Sequence, residues 1–322
     1  MIKRRLRIIA FIVGAFYITG IILAIEAAMT VRTPQGAIAW SVSLVSFPFV
    51  SVPAYLVLGR SKFEGMADVF EDRRDEFERL LTDIQKELDP WEIPPTKGPS
   101  WHAAMTRLSG LQLTRGNQAE LLINGEATFD SILDGITSAE QYILFQFYMI
   151  HDDGLGRRIQ QALIERARNG VRVYVLYDEI GSKGLPARYI DELRAAAIEV
   201  SSFKPTQGAR NRFQLNFRNH RKMVVVDGKI AWVGGHNVGD EYLGLDPEFS
   251  PWRDTHVRLE GPVVQQLQMA ILGDWYWATR ELPEANWTPQ PATERDLVAM
   301  IFPFGPVGNF ESASLFFSAA LH

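Results

Sequence analysis

The stretch Asn219–Asn237 reads NHRKMVVVDGKIAWVGGHN. His220 and Lys222 stand two residues apart, and side chains two apart on an extended strand point the same way. His220, Lys222, Val224 and Val226 are therefore expected on one face, with the imidazole and the ammonium together at one end. Asp227 closes the strand, Gly234 and Gly235 follow the return strand, and Asn237 comes two residues later. These groups suit attack at a phosphodiester. An imidazole serves near neutral pH as nucleophile or proton-transfer group. Lys222 and the Asn237 amide can hold the non-bridging oxygens, where charge resides in the transition state. Asp227 offers a carboxylate to orient and charge-stabilise a histidine. Gly234 and Gly235 would let the backbone approach a bound phosphate closely. Taken singly, each residue has an ordinary explanation: a structural histidine, a surface lysine, a turn aspartate, a bulge. Their order and spacing together favour chemistry. No HxxxH or HExxH pair accompanies His220, so neither a metal nor a cofactor is expected.

The elements around this stretch read as α/β. AELLI and YILFQFYMI look like strands, with a helix over 129–139 between them. A second helix runs over 155–169 and stops at Gly170. VRVYVLYDEIG (171–181) is an apolar, β-branched strand whose polar end, 178–182, is where open α/β sheets usually place ligands. A third helix spans 188–197. NRFQLNFRNHRKMVVVD and IAWVGG then form two strands around a Gly228–Lys229 turn. A further strand covers 255–259, and VVQQLQMAILGDWYW is an amphipathic helix. The expected fold is a sheet covered by helices on both faces.

The spacing H-x-K-x4-D-x6-G-G-x-N resembles the HKD signature of the phospholipase D superfamily. NHRKMVVVDGKIAWVGGHNVGDEYLG, followed by WRDTH and GPVVQQLQ…DW, resembles the bacterial cardiolipin synthases of that superfamily, as does GVRVYVLYDEIGS ahead of it. The resemblance covers essentially the whole chain. His236 departs from it, standing where the family usually has an apolar or aromatic residue. The resemblance implies metal-free phosphatidyl transfer. A histidine attacks one phosphatidylglycerol, glycerol leaves, and a second phosphatidylglycerol takes the phosphatidyl group from the histidine. Carried over, His220 is nucleophile or acid–base partner, Lys222 and Asn237 bind phosphate, and Asp227 supports the histidine.

Ile8 to Ile25 and Ala37 to Gly59 contain no charged residue, apart from which only a short Thr30–Gly36 connection intervenes. Each run approaches the roughly 20 residues that span a bilayer as a helix. A transmembrane hairpin over 1–60 is expected. Lys3, Arg4, Arg5 and Arg7 precede it, and Arg60 and Lys62 follow it, so both ends are expected in the cytoplasm of a bacterial inner membrane. Residues 61–99 read as a charged helix (62–88) and a Pro-rich linker, and 100–290 as the catalytic domain. The net charge of −5 speaks against nucleic acid as a partner. With no cysteine, thiol nucleophiles, disulfides and cysteine-ligated zinc are excluded.

The site uses two such motifs in the family, and none of the other histidines (His102, His151, His236, His256, His322) gives H-x-K. Residues 291–322 resemble a weak repeat of 119–139 and are expected to open a second, incomplete domain. A homodimer is one way to complete the site. Two alternatives stand beside the synthase: a dimeric single-motif phosphodiesterase, and an inactive membrane-anchored remnant.

Overall fold

The computed structural model describes residues 2–31, 34–59, 74–95, 101–203, 218–304 and 316. The chain divides into two compact units. One holds residues 1–72, 205–217 and 304–322, and the other holds 73–204 and 218–303.

The first unit contains α1 (Ile2–Thr30), α2 (Pro34–Ser46) and α3 (Pro48–Leu58). Helix α1 packs on both of the others. Leu23, Ala24 and Ala27 of α1 meet Leu44 of α2 and Val52 and Tyr55 of α3. The approach is close at Gly20, where an added Cβ would lie 2.4 Å from the Leu44 carbonyl oxygen. Among the described residues, only one helix is long and apolar enough to cross a membrane: Lys3–Thr30, with a mean hydropathy of 2.7. Its other faces expose Phe11, Ile18, Ile22 and Ile25. The second apolar run differs from expectation. It is two helices of 13 and 11 residues, broken at Phe47, rather than one span. Pro48 is the cause: it lacks an N–H for the helix ladder and pushes the residue before it out of helical geometry. Phe47 accordingly sits at φ −132°, ψ 56°.

The second unit is a mixed sheet in the order β1-β2-β8-β7-β6-β3-β4-β5, with β9 also paired to β2. Its strands are β1 (Glu92–Ile93), β2 (Leu113–Ile123), β3 (Tyr142–Phe147), β4 (Arg172–Asp178), β5 (Glu199–Phe203), β6 (Met223–Val226), β7 (Ile230–Gly234), β8 (Thr255–Glu260) and β9 (Leu297–Ala299). Strands β3, β4 and β5 are parallel, and β3, β6, β7, β8 and β2 alternate in direction. The helices are α4 (Arg74–Leu88), α5 (His102–Ser109), α6 (Asn124–Ser138), α7 (Gly154–Arg168), α8 (Ala187–Ala195) and α9 (Val263–Thr279). All six residues of β3 are buried. Ile143, Phe145 and Phe147 join the cluster formed with Phe129, Ile132 and Ile136 of α6, Leu155 and Ile159 of α7, and Leu193 of α8. On the other face, the Tyr142 hydroxyl bonds Gln268 of α9, and Tyr174 of β4 meets Trp275 edge-on. Helices thus cover both faces, and the period-2 alternation of β3, apolar at every position but Gln146, supplies both cores.

Several expected boundaries move. The strand ending in MVVVD is a ladder only over Met223–Val226, while 218–222 precede it outside the sheet and 211–217 lie outside the described residues. The 62–88 helix is present as α4, and 62–73 lie outside the described residues. The Pro-rich segment is not wholly a linker: Glu92 and Ile93 pair with Thr114 and Leu113. Past residue 290, Leu297 and Ala299 pair with Asn117 and Thr114 of β2, on the part of β2 that also pairs with β1. Asn117 shows why, since its amide donates to the Leu297 carbonyl at 3.0 Å and its Oδ1 accepts from Val263 at 2.8 Å. The rest of the expected repeat helix, apart from Phe316, lies outside the described residues.

Candidate active site

His220 lies one turn of extended chain before β6, and its side chain is exposed, whereas Lys222 beside it is buried at 4% exposure. The two side chains meet as their spacing requires. Lys222 Nζ is 2.9 Å from His220 Nδ1 and donates to the His220 carbonyl at 2.8 Å. The Tyr148 ring, just past the end of β3, lies 4.4 Å from the imidazole, and the same ring has the Lys222 ammonium 5.4 Å from its centroid. Burial pushes the Lys222 ammonium down to about 8, against the opposing charge of Asp254. Burial and then the Lys222 charge hold His220 below its ordinary value, while Asp178 works the other way. An ammonium has only donors, so toward it Nδ1 is the acceptor and a neutral imidazole carries its proton on Nε2.

Asp178 ends β4, where the sequence pointed to a ligand-binding edge. Its Oδ2 accepts the Asn219 backbone N–H at 2.8 Å, and its Oδ1 accepts Ile180 and Gly181 at 2.9 and 3.0 Å. Ser182 ties the same turn to β3, accepting the Ile150 N–H at 3.1 Å. One carboxylate neighbouring the histidine segment is thus Asp178, through Asn219.

Asp227 is elsewhere, and the expectation that it supports His220 is corrected. It stands at the opposite end of β6, four strand residues away at about 3.3 Å each. Its carboxylate accepts the backbone N–H groups of Glu140, Gln141 and Tyr142 at 2.9, 2.8 and 2.8 Å. Its own N–H bonds the Tyr142 carbonyl. It also forms the hairpin turn with Gly228. Both residues are left-handed (φ 54° and 67°), as the tightest hairpins require, so the turn's central pair is one residue earlier than expected.

At Gly234 and Gly235 the place a side chain would take is filled by the protein itself. A Cβ at Gly234 would lie 2.5 Å from His256 Cα, and one at Gly235 would lie 2.1 Å from the Asp254 carboxylate. Asn237 is buried, with its Oδ1 accepting the Met149 N–H at 3.1 Å and its Nδ2 donating to the Tyr242 hydroxyl at 2.7 Å. One amide hydrogen remains beyond these two bonds. His236 fills the position where the resemblance expected an apolar group. It is fully buried, with Nδ1 3.0 Å from His256 Nδ1. Burial lowers both rings, His256 to about 3, so the pair is neutral and belongs to the core.

Residues that sequence reasoning passed over also border the site. Gln146 is the single polar residue of β3, and Asp274 falls on the same helical face as Leu267 and Ile271. A polar group in an apolar strand and an acid on an apolar stripe were the available signals. Outside this region, His151, Asp153 and Glu241 bring ligand-type atoms within 4.8 Å of one another. Asp153 already caps α7 through Gly156 and accepts the Asp240 N–H, and Glu241 holds His151 above its ordinary value.

Comparison with known proteins gives a family. Residues 132–273 match the model described as "Cardiolipin synthase, PLD-like domain". The chain is 43% identical over 320 residues, 98% of its length, to cardiolipin synthase A of Pseudomonas fluorescens Pf-5. It is 45% identical over 307 residues, 93% of its length, to cardiolipin synthase A of Pseudomonas aeruginosa PAO1. It spans 66% and 62% of those relatives' own lengths, less than two thirds. Among solved structures, the phospholipase D family member Nuc from Salmonella typhimurium matches at a TM-score of 0.39 and 18% identity, over 50% of this chain and 96% of that one, a likeness too distant to carry weight. Over residues 132–273 the chain thus matches a cardiolipin synthase, PLD-like domain, and over nearly its whole length it is similar to these synthases.

Proposed function

We propose that this chain carries half of a phosphatidyl-transfer site that makes cardiolipin from two phosphatidylglycerol molecules. The observation that carries this reading is the pairing of His220 Nδ1 with the buried Lys222 ammonium at 2.9 Å. A phosphate oxygen is a stronger acceptor for Lys222 than an imidazole nitrogen. When a phosphodiester binds, Lys222 turns to it, Nδ1 is freed, and the one proton of the neutral ring passes through solvent from Nε2 to Nδ1. Nε2 then has its lone pair available. Nε2 attacks phosphorus, the bond from phosphorus to the glycerol oxygen breaks, and glycerol leaves with a proton from an acid. In the second half, a hydroxyl of another phosphatidylglycerol attacks phosphorus, the phosphorus–nitrogen bond breaks, and the hydroxyl proton returns to the base. Lys222, with the remaining amide hydrogen of Asn237, supplies donors to the non-bridging oxygens.

The acid requires a second proton-transfer group. We infer that another copy of the motif supplies it, in cis or from a partner chain as in a homodimer. No metal or other cofactor is invoked. The expected setting is the bacterial inner membrane, with a multi-pass N-terminal anchor and the catalytic unit in the cytoplasm.

The test is reconstitution of the chain into phosphatidylglycerol vesicles, following cardiolipin and free glycerol, with His220→Ala as control. Equal amounts of both products, lost in the variant, are expected. Phosphatidic acid and glycerol without cardiolipin would favour a single-motif phosphodiesterase. No product at any protein concentration would overturn autonomous synthesis by this chain.

A further inference from the structure

His220 is exposed, but its two neighbours in the chain are held from three directions. Asn219 is 8% exposed, and its backbone N–H donates to Asp178 at the end of β4. Its side-chain oxygen accepts Gln146 Nε2 of β3 at 3.0 Å and the Arg221 N–H at 3.2 Å. Gln146 Nε2 also donates to Asp274 Oδ2 of α9 at 2.8 Å. Arg221 Nη1 meets both oxygens of that carboxylate at 2.8 Å. Gln146 and Asp274 are each 2% exposed.

A buried ion pair is a weak device for stability, because desolvating two charges offsets most of their attraction. The Gln146 amide even leaves its Oε1 buried without a partner, so its orientation is dictated by the two acceptors on the other side. What such a network supplies well is a fixed geometry. A nucleophile on an exposed segment needs that, since misplacement by an ångström costs about a hundredfold in rate.

We propose that Asp274, Gln146 and Arg221 are positioning residues for His220: they hold the Asn219–Arg221 segment from both sides so that the imidazole stays against Lys222 and in line with a bound phosphodiester. The proposal rests on the phosphatidyl-transfer reading of His220 and adds to it three residues outside the motif's H, K, D and N.

The test titrates His220 by NMR in the full chain with labelled histidine, the signal being identified by its loss in His220→Gln. The variants are Asp274→Asn, Arg221→Gln and Gln146→Leu. Groups that face the ring are Lys222 and Asp178, with the Tyr148 ring 4.4 Å away on its own side. Once the segment is released, the ring leaves the Lys222 ammonium and gains water, so its pKa is expected to rise toward the ordinary imidazole value in all three variants. Field effects alone would act differently. Loss of the Asp274 charge would lower His220, loss of the Arg221 charge would raise it, and Gln146→Leu would leave it unmoved. Opposite movements, or no movement in Gln146→Leu, overturn the proposal. Unchanged signals from the buried His102 and His256 report an intact fold. Where Asp274→Asn does not fold, the other two variants decide.

In a chain that turns over, kcat is expected to fall about tenfold to a hundredfold, with KM within about twofold. An unchanged kcat would also overturn the proposal. The titration needs no turnover, so failure of the transfer reading and failure of this one are told apart.

Discussion

At the scale of single residues, the informative pair is Lys222 and His220. Lys222 is buried yet keeps a strong acceptor in His220 Nδ1, and burial brings its pKa to about 8. Its usefulness to a phosphate is therefore a function of pH. As pH rises through about 8 the ammonium loses its proton and its charge on the non-bridging oxygens. The rate per KM of phosphatidyl transfer is expected to fall on that alkaline side, measured with phosphatidylglycerol vesicles between pH 7 and 9. Lys222→Arg keeps its charge throughout. It should remove that limb while lowering the plateau, because a planar guanidinium does not reproduce the contact with His220. An alkaline limb that persists unchanged in Lys222→Arg would mean another group titrates there. His236 and His256 teach the opposite lesson. Two histidines beside the motif are a neutral pair in the core, so the presence of imidazoles near a site says little until their burial is known.

At the scale of elements, Asp227 belongs to the hairpin and not to the histidine. It accepts three backbone N–H groups at the start of β3 and adopts a left-handed conformation that aspartate tolerates better than alanine. Asp227→Ala is expected to cost about 2 to 4 kcal/mol of folding stability, as three donors lose a charged acceptor. Asp227→Asn, which keeps the turn and one good acceptor, should lose less. Chemical denaturation of the purified chain measures both. A full loss of activity in Asp227→Ala with unchanged stability would restore it to the reaction. Gly234 at the end of β7 and Gly235 after it act at this scale too, since they admit His256 of β8 and Asp254 just before it. Strand β3, the β4 end and α9 together hold the His220 segment through the Asn219–Arg221 network.

At the scale of the whole molecule, the sheet unit takes up β9 beside β2, and among the described residues one helix of the N-terminal unit is fit to cross a membrane. The basic residues around the apolar runs set an expected orientation. The chain has no cysteine, so single cysteines report topology cleanly. Arg168→Cys, at the exposed end of α7, is expected to react with a membrane-impermeant maleimide only after the inner membrane is opened. Thr33→Cys, in the connection between the two runs, should react from the outside in intact spheroplasts. The reverse pattern would overturn the cytoplasmic assignment of the catalytic unit.

The sequence by itself determined what depends on near neighbours. Alternation along a strand put His220 and Lys222 together, and apolar periodicity placed β3, β4, α7 and α9 within a few residues of their observed bounds. The H-x-K-x4-D spacing identified the family. The roles of Asp227, Gly234 and Gly235 were not legible there, because their partners are distant in the chain. Asp227 meets backbone groups 85 to 87 positions away, and Arg221 meets Asp274 across 53. Strand spacing fixes which side chains share a face, but it carries no information about which other element will cover that face. Burial and hydrogen-bond partners arise only when the sheet is assembled, and they decided that Asp227 caps a strand, that the double glycine admits neighbouring side chains, and that Asp178, Gln146 and Asp274 surround the histidine segment.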